Sequence, residues 1–370
     1  MSGAETSKLI SKKRNSRRSS SATTIADVAR EAQCSPMTVS RVINGEGNVR
    51  EAMRAQVLAA IKQLNYSPNR AARSLASGKQ MRIALLHDNP SASYLSEVLI
   101  GALDEASRRD VQLVVQSCDN PAEGRALVES LVEGGITGFI LPPPLCDDQV
   151  VLDLINARRK IAVAVGPGRA KGAHFSLLID EFRAAYDMTR HIIGLGHERI
   201  GFIIGNPDQL ASARRLNGFR AAIEDSGLAV AENLIAQGQF TYRSGMIAAE
   251  KLLGASPRPT AIFASNDDMA AATVAMAHRW HLDVPGDITV CGFDDTELAR
   301  SIWPELTTIR QPIRDMTGAA VAMIVDHARS RRASDKAATQ EATFHYKLIR
   351  RNSDAEPSLV VSRREGSSSA

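Results

Sequence analysis

The hydrophobic pattern of this 370-residue chain changes character near residue 80. Before that point apolar residues recur at helical spacing in short bursts. From Thr24 to Asn44 the chain reads T-I-A-D-V-A-R-E-A-Q-C-S-P-M-T-V-S-R-V-I-N, which predicts two short helices parted by a polar break at Gln33-Cys34-Ser35. Thr24 is placed to cap the first helix, with Asp27 returning the capping-box contact. Ser35 caps the second, and Pro36 takes its first turn, where a missing N–H costs nothing. Val28, Val39 and Val42 then face inward. Ser40 and Arg41 face out, beside Met37 and Thr38 near the helix start. Met53, Val57, Ala60, Ile61 and Leu64 predict a third helix over 50–65, closing a small core.

From Arg82 onward, short β-branched runs alternate with helical stretches. Strands are predicted at 83–86, 111–115, 138–141 and 161–165, with helices at 99–108, 122–133 and 148–158 between them. The alternation then repeats, with strands at 200–204, 261–264 and 288–290 and helices at 212–226, 244–253 and 268–280. Such alternation argues for α/β architecture, parallel sheets with helices on both faces. Two similar halves imply two lobes, with a crevice where strand C-termini meet.

Charge sharpens this division. The first 80 residues hold 14 Lys and Arg against 5 Asp and Glu, a net of +9, while the remainder holds 31 against 36, a net of −5. The basic end therefore suits a polyanionic partner, and the larger part resembles an ordinary cytosolic domain. A short helix offering its N-terminal side chains across a turn is the helix-turn-helix device for the DNA major groove. Residues 1–22 carry Lys8, Lys12, Lys13, Arg14, Arg17 and Arg18 among serines, and are expected to form a disordered basic arm. No apolar stretch follows them, so a secretory signal is not expected, and no run approaches 18 apolar residues. Cys34, Cys118, Cys146 and Cys291 have no paired spacing, which favours reduced thiols and a cytoplasmic setting.

The segment ending T-V-S-R-V-I-N closely resembles the DNA-binding headpiece of the lactose-repressor/galactose-repressor family, whose hallmark it is. The resemblance extends over about 23–353. By it, Thr38, Ser40, Arg41 and Asn44 are shared operator contacts, Thr24 and Ser35 are further DNA-binding residues, and Pro36 and Met37 occupy positions where members select bases. Asn65-Tyr66-Ser67-Pro68-Asn69, with Ala72 and Leu75, matches the family's hinge helix, which orders only on DNA. Leu75 is then the wedge inserted through the minor groove, and Ala72 permits close approach. Read alone, the same stretch is a polar linker with one surface leucine. The core is implied to be periplasmic-binding-protein-like.

Position match also supplies an effector set. Arg215 lies in Arg214-Arg215-Leu216-Asn217-Gly218-Phe219, Asn266 in Ser265-Asn266-Asp267-Asp268, and Asp294 in Gly292-Phe293-Asp294-Asp295. Gln311 follows Thr307-Thr308-Ile309-Arg310, and Phe240 matches the stacking aromatic. Planar multidentate groups with an aromatic face suit a sugar's hydroxyls and its weakly apolar faces. Arg169 and Tyr94, with Ser96, are expected from the first lobe, although Asp88-Asn89-Pro90-Ser91-Ala92-Ser93-Tyr94 departs from the usual N-P-F-F form. For Asn266 and Asp267, helix capping is the plainer reading. His278 and His281 have metal-compatible spacing without a third ligand nearby, so no metal or cofactor is expected.

The expected organisation is a headpiece over 23–69, a hinge helix over 70–80, a two-lobed core over 81–353 and a tail over 354–370. The first lobe takes 81–179 and 309–338, the second 180–308 and 339–353. The implied function is a sequence-specific transcription regulator: a cytoplasmic, nucleoid-associated homodimeric repressor released from operator DNA by a sugar-like effector. A corepressor-type member, whose ligand promotes DNA binding, uses the same residues. A sugar-transport binding protein would share the core but needs a signal peptide and has no use for 24–78. An enzyme lacks a nucleophile–base pair or a carboxylate dyad.

Overall fold

The computed structural model describes residues 23–43, 49–66, 80–118, 121–166, 172–330 and 340–358. Asn44, Asn69, Ala72, Leu75 and Arg169 lie outside them, as do the basic arm and all of the expected hinge except Gln80.

The N-terminal unit carries α1 (Ile25–Glu31), α2 (Pro36–Ile43) and α3 (Glu51–Gln63). Its local chemistry follows the sequence. The Thr24 N–H donates to Asp27 Oδ2 at 3.0 Å, and the Asp27 N–H returns a bond to Thr24 Oγ1 at 3.4 Å. The Ser35 hydroxyl accepts from the Thr38 N–H at 3.1 Å, starting α2 with Pro36 as its first residue. Gln33, at φ 49°, makes the sharp turn between the two helices. Val28, Val39, Val42, Val57 and Ala60 form the buried core, so three short helices stabilise one another where each alone would be marginal.

Two six-stranded sheets build the remainder. The first contains β1 (Arg82–His87), β2 (Gln112–Ser117), β3 (Gly138–Leu141), β4 (Ile161–Val165) and β5 (Phe175–Leu178). The second contains β6 (Ile200–Ile204), β7 (Ile235–Gln237), β8 (Ala261–Ala264), β9 (Thr289–Asp294) and β10 (Thr307–Arg310). These pair in parallel, in the orders β5-β4-β3-β1-β2 and β10-β9-β8-β6-β7. Nearly continuous apolar strands such as Ile161–Val165 are buried on both faces, as parallel sheets require. Helices cover them: α4 (Ala92–Arg108), α5 (Pro121–Glu133), α6 (Gln149–Ala157), α7 (Glu181–Gly194), α8 (Leu210–Asp225), α9 (Tyr242–Leu253), α10 (Asp267–Arg279), α11 (Glu297–Ser301) and α12 (Ile313–Arg329). One buried cluster runs from Ile83, Ile140 and Val163 of the first sheet to Phe202, Phe263 and Phe293 of the second.

Four details differ from the expected boundaries. Strand β10 pairs with β9, so the second lobe extends to Arg310 rather than 308. A final strand, β11 (Gln340–Thr343), joins β5 in the first sheet instead of the second lobe, and only then does β12 (Lys347–Ile349) pair antiparallel with β10. The chain therefore passes between the sheets three times. Residues 354 and 355 belong to the core rather than to a tail. Asp354 is buried and hydrogen-bonded to His191 Nε2 at 2.8 Å, and the Ala355 carbonyl is bonded by His197 Nε2 at 2.8 Å. Helix α4 begins at Ala92, seven residues before the expected 99, because the Ser91 hydroxyl caps it by accepting from the Tyr94 N–H at 3.1 Å.

Helices α7 and α8 pack with Gly218 between them, where a Cβ would stand 2.2 Å from the Phe182 carbonyl oxygen. Backbone cannot move aside cheaply. Gly218→Ala should lower the unfolding free energy of the core by about 1–3 kcal/mol. Urea denaturation reads this directly, and a change within about 0.5 kcal/mol would contradict the close approach.

Candidate functional site

Of the residues expected to read DNA, the described ones lie at the start of α1, on α2 and on its approach. Pro36 and Arg41 are exposed, and Met37 is 65 % exposed although it is large and apolar. Thr38 and Ser40 are half-buried, and the Thr38 hydroxyl lies 2.9 Å from that of Ser35. Thr24 is exposed at the start of α1 and also gives its hydroxyl proton to Asp27. These positions thus offer hydroxyls and one apolar side chain near the start of α2 and a cation, Arg41, in its last turn, a set suited to phosphates and base edges.

The second site lies where strand C-termini of both sheets face each other. Asn89 follows β1, Pro143 follows β3 and Gly166 follows β4. On the other side Asn266 follows β8, and Asp294 ends β9. Tyr94, Glu181, Gln209, Arg215, Phe240 and Gln311 complete the lining. The space among these side chains, including the part open to solvent, is about 480 Å³.

Arg215 is the centre of the arrangement. Only 4 % exposed, its Nε donates to Glu181 Oε2 at 2.7 Å, and one terminal nitrogen donates to the Ser265 carbonyl. The Phe293 ring covers the guanidinium at 3.7 Å, and Asp294 Oδ1 stands 3.8 Å away. Gln311 then fixes Asp294, donating from Nε2 to Oδ1 at 2.7 Å and from its backbone N–H to the Asp294 carbonyl at 3.2 Å.

Two lining residues sit in left-handed backbone that side chains rarely adopt, Phe240 at φ 59° and Asp294 at φ 111°. Asn266 explains the first. Its Nδ2 donates to the Phe240 carbonyl at 3.0 Å, while its Oδ1 caps α10 by accepting from the Met269 N–H at 3.0 Å. The Phe240 ring lies flat on Gly205, where a Cβ would come within 1.9 Å of it. Asn266 is thus a cap and a cleft residue at once.

The structure brings Arg215, Asn266, Asp294, Gln311, Phe240 and Tyr94 together around one space. Ser96 is not with them. It is exposed on α4, and Ser91 takes the cleft position because the helix starts earlier than expected. Ser91 Oγ also donates to Asp268 Oδ2 at 2.6 Å, joining the two lobes. Arg214 is absent from the lining, its charge acting near Asp147 instead. Glu181, Gln209, Asn89 and Ser91 were not singled out by sequence. Among the described residues no three His, Cys, Asp or Glu side chains gather as metal ligands.

Residues 24–69 match the model for bacterial regulatory proteins of the lacI family, and 189–353 match the periplasmic binding protein-like domain. The HTH-type transcriptional repressor PurR of Klebsiella pneumoniae is 34 % identical, over 92 % of this chain and 99 % of that protein. The chain belongs to the lacI family. Two solved structures extend the likeness to the fold of this lacI-family protein. A lac repressor dimer bound to operator and the anti-inducer ONPF superposes with TM-score 0.70 at 25 % identity. A complex of the transcriptional regulator CelR with cellobiose superposes with TM-score 0.67 at 28 % identity. Each match covers 90 % of this chain and 99 % of the other. The lacI-family protein is accordingly a transcription regulator with a DNA-binding headpiece and a ligand-binding core. Among the described residues no helix is long and apolar enough to cross a membrane.

Burial pushes the Asp294 carboxyl well above its ordinary 3.8, against the pull of Arg215. It raises Asp267 to about 7, against hydrogen bonds from Thr308 and Thr296. Above the ordinary value the unfolded chain has released these protons while the folded core keeps them. Stability contributed by the pair is therefore lost as pH rises through the folded values. Asp294→Asn should flatten the decline in unfolding free energy between roughly pH 4 and 7. Urea titrations at stepped pH test this, and a slope equal to that of the wild type would contradict it.

Proposed function

We propose that this lacI-family regulator is a homodimeric repressor that leaves its operator when a sugar-like effector fills the cleft. The cleft's composition carries the reading. Asp294, Asn266, Gln311 and Arg215 present planar multidentate groups beside the Phe240 and Tyr94 rings, which is the chemistry of polyol recognition. The relatives support it, one solved with cellobiose and one as a dimer on operator. The proposed units are the headpiece over 23–69, the hinge over 70–80 and the lobes with the boundaries corrected above. The proposed operator contacts are Thr24, Ser35, Pro36, Met37, Thr38, Ser40 and Arg41, with Asn44, Asn69, Ala72 and Leu75. Arg169 is the proposed first-lobe contribution to the effector set. A regulator of this kind works in the cytoplasm, on the nucleoid.

An effector can move such a protein only by preferring one arrangement of the lobes, and near-complete switching needs roughly 10⁴-fold preference. Asp294 is suited to supply part of that preference, because it contacts the cavity and the Gln311 crossover together. The experiment is an operator shift with the full chain, using DNA selected from a random pool, with and without a sugar panel. Arg41→Ala should weaken specific binding by about 1–3 kcal/mol. Asp294→Ala should keep operator affinity near wild type and lose the response to sugar. Release of Asp294→Ala at the wild-type sugar concentration would refute the effector assignment, and tighter operator binding with ligand would establish corepression instead.

A further inference from the structure

Resting on the effector reading above, we infer that Glu181 makes this cleft a site for polyols carrying no negative charge, closed to sugar acids and sugar phosphates. Arg215 is the single cation among the described lining residues, and two buried carboxylates flank it, Glu181 and Asp294. The ion pair with Glu181 balances the guanidinium charge before any ligand arrives. Its Nε is committed to Glu181, one terminal nitrogen faces the Ser265 carbonyl, and Phe293 covers its face. An anionic ligand here would add a negative charge beside a guanidinium that Glu181 already neutralises, away from screening water, and an uncompensated charge in such a place is strongly disfavoured.

A donor-rich neutral ligand meets the opposite situation. Gln311 and Arg215 approach only Oδ1 of Asp294, and Glu181 receives Arg215 on Oε2. Acceptor capacity therefore remains on both carboxylates, for hydroxyl or ammonium hydrogens. The amides of Gln209 and Asn266 add uncharged polar edges.

The approach to the cleft has the same sign. A neighbouring groove is lined by Asp88, Asp147, Asp148 and Asp208. It abuts the cleft in sequence at three places, Asp88 beside Asn89, Pro144 beside Pro143, and Asp208 beside Gln209. Arg214 is the cation acting on Asp147 there. Carboxylates in that neighbouring groove lower the local concentration of anions beside the cleft and raise that of amines.

The test uses the full chain, thermal-shift titration and three matched sets of probes. These are glucose with glucosamine, glucuronate and glucose 6-phosphate, the corresponding galactose set, and ribose with ribose 5-phosphate. In at least one set the uncharged sugar or its amine should bind about tenfold or more tightly than the acid or phosphate. Glu181→Gln, which keeps an acceptor for Arg215 while freeing its charge, should shift that acid-to-neutral ratio about tenfold toward the acid. An acid or phosphate that outbinds its uncharged parent in the wild type overturns the inference and would point to Arg169 as the missing cation. An unchanged ratio in Glu181→Gln overturns the role of Glu181. If the variant fails to fold, the wild-type comparison decides alone. A chain that binds no member of any set also overturns the charge rule. Operator binding, measured on the same sample, then shows whether the regulator reading stands without it.

Discussion

A buried guanidinium holds the effector cleft together. Removing a charge from water costs several kcal/mol, so it persists inside a protein only when partners meet it at close range. Arg215 has a carboxylate at 2.7 Å, a backbone carbonyl and a ring face, contributed by α7, the end of β8 and β9. Each partner comes from a different element of the second lobe. Satisfying the charge therefore fixes how α7, α8 and the strand ends are spaced, and the cleft is what that spacing leaves open. Losing Glu181 or Arg215 alone would strand the other, whereas losing both would remove the demand.

The strand ends answer a second constraint. A parallel sheet directs its C-terminal edges to one side, and there the chain must turn sharply into helices. Phe240 and Asp294 turn in left-handed backbone, and each is held there by a named partner, Asn266 for the first and Gln311 for the second. Strain of this type survives only where surrounding bonds over-determine it. Asp295, at φ 57°, is pinned likewise by Arg310 at 2.6 Å and by Arg351. The acidic pair at the end of β9 therefore divides its work. Asp294 faces the cavity, and Asp295 ties the turn to β10 and to the chain beyond β12.

Periodicity located the elements that are strongly apolar, and the motif matches located the second lobe's contribution to the cleft. Strands 138–141, 161–165, 200–204 and 261–264 coincide with the predicted runs. Elements whose signal is mixed were not found. Neither strand Phe175–Leu178 nor the amphipathic helix Glu181–Gly194 was among the predicted elements. Residues 340–343 read as polar because β11 is an edge strand, paired on one side only and mostly exposed. Glu181 escaped notice for a different reason. A glutamate at the first position of a helix is ordinary dipole chemistry, and only the approach of α8 buries it against Arg215. Ser91 shows the same limit, since a change of about two turns in where α4 starts decides which serine faces the cleft.

Gln311 gives the cleft a route to the rest of the core. It stands between β10 of the second sheet and α12, which packs on α4 of the first lobe. By holding Asp294 through both its side chain and its backbone, it ties the cavity wall to one of the three passages between lobes. Ser91 and Asp268 form another tie, across the cavity itself, and the Leu210 N–H that starts α8 faces Asp147 of the first lobe at 3.4 Å. A ligand that accepts or displaces any of these bonds changes how firmly the lobes are joined, and that difference is the free energy an effector has available for switching. The cleft therefore couples recognition to lobe geometry with side chains that do both jobs, and no separate relay is required.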